Sequence, residues 1–540
     1  MSRLPFLFLS SWTRAPHPAG GTQRDARSLR SFTFMNMKIH FSAILLAAFV
    51  APQAKAALPQ PMEVERGPHH RTWATVSEIQ SPRGVIKRTN SYVELQTGLH
   101  RWTDQGWVET DPRIEIFEDG AIVRNLQYQV IFSPNLADGG SLDILLPNVG
   151  GQQRLRGHLL GLAYREGDQF VFVSEVKDCA GQLGGAEQNE LIFFDAFTDF
   201  HIDVKYVAQR GKFSQSIIIH DRLPHPHEVG LTEAAHVELM TEWVNFPPVQ
   251  KEQRILEAAK DGQRALTDER IDFGAMRFTA GKAFTIGEEA QTSTRMAKSW
   301  EEVTDETGHR RTFLLEKIPW RKMEPEMQKL PPLQAAALNN WQKKKKTTLI
   351  ANKPLPLPAR NLAKSKTARA IQVMAKATTE KGYLVDFELI TTTNLLRFRS
   401  DVTWYLSGPV WVTTNIFEGG CVIKLAPTNS ATLGIDGPAT FETDPYRPVV
   451  FTAKDDDTCG ETITGSTGAP SGYYGGAGLY FLTTPTGIPQ HLRFSYLRQG
   501  ISYAEWDHTV RHCQFVSCSN AVANDFGSMT LENVLLYSRL

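Results

Sequence analysis

Three apolar segments near the end of the chain can be laid under one another, and no other feature restricts the fold as strongly. They are Leu492-Arg493-Phe494-Ser495-Tyr496-Leu497, Val510-Arg511-His512-Cys513-Gln514-Phe515 and Leu531-Glu532-Asn533-Val534-Leu535-Leu536. In each, an apolar residue is followed five positions later by another, and the segments start 18 and 21 residues apart. Self-similarity at about 20 residues predicts a solenoid, because one such unit can bury its inward face only against its neighbours. Earlier stretches have the same character: Leu406–Val412, Phe417–Lys424, Ala431–Gly437 and Pro448–Thr452.

Upstream, from about Ser91 to Trp320, short strands follow one another. Ser91-Tyr92-Val93-Glu94-Leu95-Gln96-Thr97 alternates with period two, and Tyr128–Phe132, Phe170–Val173, Leu191–Phe194, Phe200–Val204, Ser216–Ile219 and His236–Leu239 are further apolar runs. Asp104-Gln105-Gly106 and Glu306-Thr307-Gly308 read as hairpin turns. Many strands with turn signals predict a β-sandwich-like or barrel-like domain. One helix is expected at Lys251–Lys260, where Glu, Gln, Leu and Ala dominate. Residues 321–378 carry Pro331-Pro332, the Lys343–Lys346 run and Pro354-Leu355-Pro356-Leu357-Pro358, the composition of a basic tether. The expected layout is a β-sandwich-like domain over 57–320, a linker over 321–380 and a partial right-handed parallel β-helix over 381–540. The chain is therefore expected to be mainly β. Its last coil begins near Leu531, which predicts either a longer product or self-association through the open β-helix end.

The N-terminal segment reads as an export signal. A basic start at Met37-Lys38, an apolar run to Val50 and a small-x-small site at Ala54-Lys55-Ala56 predict a signal peptide over 35–56, cleaved after Ala56. Residues 1–34, rich in Arg, Ser and Pro, read either as an extension ahead of a true start at Met35 or Met37, the favoured reading, or as a long n-region. No other segment has the length and apolarity of a membrane span. A secreted or cell-surface location follows. Basic and acidic residues balance at 58 each, which argues against a nucleic-acid partner. The five cysteines show no CxxC pair and no zinc-ligand spacing, and in an oxidising compartment they allow one or two disulfides.

From Trp404 to Leu536 the chain resembles the right-handed parallel β-helix of the pectin-lyase-like superfamily. Phe417–Lys424 and Pro448–Ala453 stand as early coils, and Gly500-Ile501 and Ala521-Val522 recur in the later ones. The strand-rich region before it resembles the N-terminal part of large secreted bacterial proteins that carry such helices. The superfamily includes lyases, hydrolases, adhesins and structural proteins, so the resemblance implies a fold and leaves the activity open.

The resemblance implies acidic Ca²⁺ ligands in any lyase of this type, and the nearest acidic cluster is Asp455-Asp456-Asp457 with Glu461. Tyr473 and Tyr474, in the glycine-rich stretch Ser471–Gly478, are candidates for stacking on sugar rings. Glu505, Asp507 and Asp525 flank the late coils without an ordered pair, His225-Pro226-His227 reads as a proline-rich loop, and His508 and His512 are too far apart along a strand to share a metal. The expected function is a non-catalytic extracellular or cell-surface module that binds polysaccharide or a cell-surface partner. The alternative is a polysaccharide lyase or glycoside hydrolase with its groove on the β-helix. A purely structural segment of a giant cell-surface protein is the third class.

Overall fold

The computed structural model describes residues 60–147, 153–257, 265–279, 281–305, 308–346, 371–373, 381–391, 395–483, 485–504, 507–525 and 527–538. The export signal, the segment ahead of it and the Pro354–Pro358 run lie outside the described residues. The described chain is mainly β, and none of its helices is long and apolar enough to cross a membrane.

From Asp111 to Thr391 the strands, almost all antiparallel, hydrogen-bond into a closed barrel. Closure runs through Thr294–Thr304, which pairs at its start with Gly281–Thr285 and over the rest of its length with Arg310–Pro319. The core follows from period-two alternation. Val204, Tyr206, Phe213, Ile217, Val385 and Phe387 face inward into one cluster. Asp203, Ser214, Ser216, Asp386 and Glu388 alternate with them and occupy the outer face.

Two expectations for this region do not hold. The helix expected at Lys251–Lys260 is the strand Gln250–Glu257, paired with Leu266–Asp272; backbone pairing to a neighbour outweighs the weak helix preference of Glu and Gln. The first part of the expected tether is packed structure. The helices Trp320–Met327 and Ala335–Lys346 bury Trp320, Met323, Met327 and Trp341 in the barrel core, and the Trp341 indole donates to the Val173 carbonyl at 2.8 Å.

The C-terminal part of the chain, from Leu396 to Tyr537, is a parallel β-helix. Its longest sheet stacks Thr403–Leu406, Val422–Leu425, Val449–Ala453, Leu492–Ser495, Gln514–Val516 and Leu535–Tyr537, all parallel. A second sheet stacks Pro409–Val412, Thr432–Ile435, Ala477–Phe481, Gln499–Tyr503 and Asn520–Asn524. The third face carries Leu396–Phe398, Asn415–Glu418 and Ala439–Glu442, then His508–Arg511 with Met529–Glu532. Register partners in the late coils are Arg493, Gln514 and Leu535, so both late repeats are 21 residues long. The 18-residue offset matched Leu492 with Val510, which lie on different faces; Val510 pairs with Leu531. Inside, aromatic rings stack coil upon coil: Phe451 on Phe494 at 4.8 Å and Phe494 on Phe515 at 4.9 Å, the spacing of adjacent strands. Cys513 and Cys518 fill the same interior as small apolar residues, and no disulfide links the five cysteines.

The solenoid does not begin at residue 381. Tyr383–Thr391 belongs to the barrel, where it pairs with Lys212–Ile219. The first rung comes instead from the start of the described chain. Met62–Arg66, His70–Ser81 and Gly84–Leu95 form antiparallel hairpins, and Tyr92–Leu95 then pairs in parallel with Thr403–Leu406. Alternation identifies Tyr92–Leu95 as a strand but says nothing about which sheet accepts it. If the ring column carries the solenoid, Phe494→Ala should cost about 3–5 kcal/mol. Urea unfolding followed by far-ultraviolet circular dichroism measures it, and a loss below about 1 kcal/mol would reject the column as the core.

Candidate functional site

Strand alternation leaves two outer faces opposite each other. On the barrel side, Lys212–Ile219, Tyr383–Thr391 and Gly281–Thr285 present Lys212, Ser216, Asp386, Glu388, Lys282 and Phe284. On the solenoid side, the second sheet buries Val410, Leu433, Leu479 and Ile501 and turns Trp411, Tyr480 and Ser502 outward. Between them lies a cleft of about 660 Å³. Gly434 shapes its floor, because a Cβ there would sit 2.1 Å from the Trp411 ring.

The margins of the cleft are ionic. Asp436 of the solenoid accepts from Arg277 at 2.8 Å and Arg270 at 3.2 Å, and Lys282 of the barrel pairs with Asp525. Within it, Lys212 Nζ donates to Glu388 Oε1 at 2.6 Å and Ser216 Oγ donates to Asp386 Oδ1 at 3.0 Å. Burial, reinforced by the neighbouring Glu388 carboxylate, pushes Asp386 up to about 7 despite Lys212. Burial also raises the Tyr480 phenol. For Lys282, burial works to lower its pKa, but Tyr480 and Asp525 outweigh it and the net shift is upward. A large polar-and-aromatic cavity with a displaced carboxyl group has the properties of a binding site.

In the acidic cluster expected to hold Ca²⁺, the three aspartates accept hydrogen bonds from neighbouring hydroxyls and amides. Asp455 accepts from Tyr474 OH at 2.5 Å and from the Thr467 amide at 2.7 Å. Asp456 accepts from Thr452 Oγ1 at 2.6 Å and from Thr458 Oγ1 at 2.5 Å. Asp457 accepts from Ser466 Oγ at 2.9 Å. Burial tends to raise Asp455 and Asp456, yet these hydrogen bonds hold both below the usual carboxylate value. Glu461 takes part through its backbone, receiving Lys424 Nζ at 2.7 Å and donating to Thr403 Oγ1 at 2.8 Å. The cluster thus folds the 454–476 loop over the outward row Glu94, Tyr405, Lys424 and Thr452, where Lys424 and Thr452 have no exposed surface. Tyr474 is buried with its hydroxyl on Asp455, so of the two tyrosines only Tyr473 is exposed for stacking.

Other singled-out residues separate. Asp507 caps the Ser528 amide at 2.8 Å, Asp525 reaches the cleft through Lys282, and Glu505 lies outside the described residues. His508 stacks on Tyr503 at 3.7 Å, whereas His512 stacks on His491 at 5.0 Å. His225 and His227 stack at 4.5 Å in a short helical turn, and Glu233 lies 4.0 Å from His227. The cleft residues escaped sequence reading: Asp386-Phe387-Glu388 carries an alternation signal, but nothing local marks its polar face as opposed by a second sheet.

Asp386 supplies a pH signature. Its folded carboxyl titrates at about 7 against about 3.8 in the unfolded chain, so the folded state binds more protons in that interval and loses stability as pH rises. Half-buried His69, pushed down to about 4 by desolvation, acts in the opposite sense, so the measurable quantity is a difference between variants. Asp386→Asn should gain stability over the parent, with a gap that opens between pH 4 and 7 and is constant above; thermal melts across pH read it, and an unchanging gap would contradict the assignment. Comparison with protein-family models, with curated proteins and with solved structures gives no match.

Proposed function

We propose that the chain is an exported protein that binds a neutral, hydroxyl-rich glycan in the cleft between barrel and solenoid. The composition of the cleft carries the reading. Glu388 and Asp525 are paired with Lys212 and Lys282, Asp386 stays protonated up to about 7, Arg498 adds one positive charge, and Trp411 and Tyr480 add ring surface. Such a lining offers many hydrogen bonds and only a small net charge, which suits an uncharged polyol. The export signal and the resemblance to pectin-lyase-like solenoids support a polymer outside the cell as partner. A further aromatic surface fits the same chemistry: on the hairpin His100–Glu109, Trp102 is 67% exposed and packs edge-on against Trp107 at 5.1 Å.

Affinity electrophoresis through gels containing neutral or acidic polysaccharides tests the proposal. At least one neutral polymer should retard the protein, and Arg498→Ala with Gln499→Ala should weaken retardation about tenfold or more. Retardation by acidic polymers alone would contradict it.

Hydrolysis is the second reading, favoured by Asp386 and Glu388. They lie two apart on one strand, hence on one face with their α-carbons roughly 7 Å apart; inverting glycosidases hold their two carboxyl groups about 6.5–9.5 Å apart. Their surroundings differ: Asp386 stays protonated up to about 7, while Glu388 is paired with Lys212. Release of reducing ends from the bound polymer, abolished by Asp386→Asn with binding retained, would establish hydrolysis. Binding without release would leave the protein a non-catalytic module.

A further inference from the structure

The barrel carries a second constellation, separate from the cleft lining and from the acidic loop. His201 precedes the strand Ile202–Gln209, and His220 follows its partner Lys212–Ile219. The strands pair Ile202 with Ile219, and the His220 amide continues the ladder to the His201 carbonyl at 3.1 Å. The two histidines are therefore cross-strand neighbours. Asp203, two residues after His201, returns to the same face. The three ligand atoms all lie within 4.8 Å of one another.

Both imidazoles present Nε2 to the same carboxylate. His220 Nε2 is 2.9 Å from Asp203 Oδ2, and His201 Nε2 is 3.6 Å from Asp203 Oδ1. Four donors at about 2.0–2.1 Å around a tetrahedral ion stand roughly 3.3–3.4 Å apart, so these two separations bracket the required value. The carboxylate is held in place: its side chain is 3% exposed, and Oδ1 accepts the Asp195 amide at 2.9 Å. The His201 backbone is fixed in turn, its amide donating to Asp221 at 2.7 Å. On the outer side the His201 ring is 52% exposed, so solvent reaches the constellation.

We propose that His201, Asp203 and His220 form a binding site for a divalent transition ion of the zinc class, with a fourth position open to solvent. Two imidazoles and a carboxylate suit such an ion, whereas Ca²⁺ and Mg²⁺ prefer all-oxygen surroundings. Three protein ligands with an open position are the pattern of an exchangeable site that holds water, in contrast to the closed four-ligand structural site. The second histidine group, His225 and His227 with Glu233, is looser: His227 and Glu233 are 59% and 67% exposed, and His225 Nδ1 already accepts the His227 amide at 3.2 Å.

Titration of the full chain with Zn²⁺, followed by isothermal calorimetry, and with Co²⁺, followed by visible absorption, tests the site. One ion per chain should bind at this site, and Co²⁺ should give the intense bands of tetrahedral coordination. His201→Ala and His220→Ala should each weaken that binding by about a hundredfold or more. Both replacements keep the Asp203 side chain, although His220→Ala removes its 2.9 Å contact, and circular dichroism checks that both variants are folded. His227→Ala should leave the binding unchanged. Absence of saturable binding in the folded parent would overturn the proposal, as would binding that survives His201→Ala and His220→Ala but is lost in His227→Ala. Glycan retardation is read separately, so either proposal can fail without the other.

Discussion

The parallel ladder between Tyr92–Leu95 and Thr403–Leu406 is the constraint on which the remaining architecture depends. A solenoid end is a row of unpaired N–H and C=O groups above an apolar interior, and such an edge must be covered or paired. Here the antiparallel hairpins of 62–95 cover it, and Leu95 joins the interior column with Leu406, Leu425 and Ala453. Because the chain runs directly from that rung into the barrel, the same ladder places the barrel beside the second solenoid sheet. The joint is tight: the Thr97 hydroxyl accepts the Trp411 amide at 2.8 Å, and Arg210 of the barrel reaches Gln96 at 3.2 Å.

The cleft follows from that placement. Outer strand faces normally meet water, and their polar residues need no specific partners. Once the barrel face and the solenoid face are opposed, lysines and carboxylates on them lose part of their hydration and must pair. Arg277 with Asp436 and Lys282 with Asp525 cross between the two halves, while Lys212 with Glu388 neutralises charge inside one face. Asp386 is left with a hydroxyl donor and a like-charged neighbour, and protonation is its response. The 454–476 loop solves a similar problem on the longest sheet, where the carbonyl of Glu461 receives the buried ammonium of Lys424.

Much of the β structure was legible residue by residue. Tyr92–Leu95, Ser216–Ile219 and the late coils announce themselves by alternation and β-branched or aromatic content. The solenoid was legible through its repeated apolar pairs, although the register was misread at Leu492 because corner and face positions are both apolar. Gln250–Glu257 was misread because its side chains are those of a helix and its pairing partner lies beyond a turn. The acidic loop is legible by its charge, but the reason for that charge, a buried lysine and a buried tyrosine above the sheet, is visible only once the coils are stacked.

What the amino-acid sequence determined by itself is the strand-rich character of the chain, the face each residue takes within its own strand, and the column of apolar side chains that makes coils stack. Those follow from local stereochemistry, in which side chains alternate at every residue. Tertiary structure alone decided which distant strands became neighbours: Tyr92–Leu95 with a rung of the solenoid, and Tyr383–Thr391 with the barrel. The physical reason is that a period of two specifies a face and never a partner. Partners are selected by burial and hydrogen-bond completion over the whole molecule, and the cleft lies where such a long-range choice brought two polar faces together.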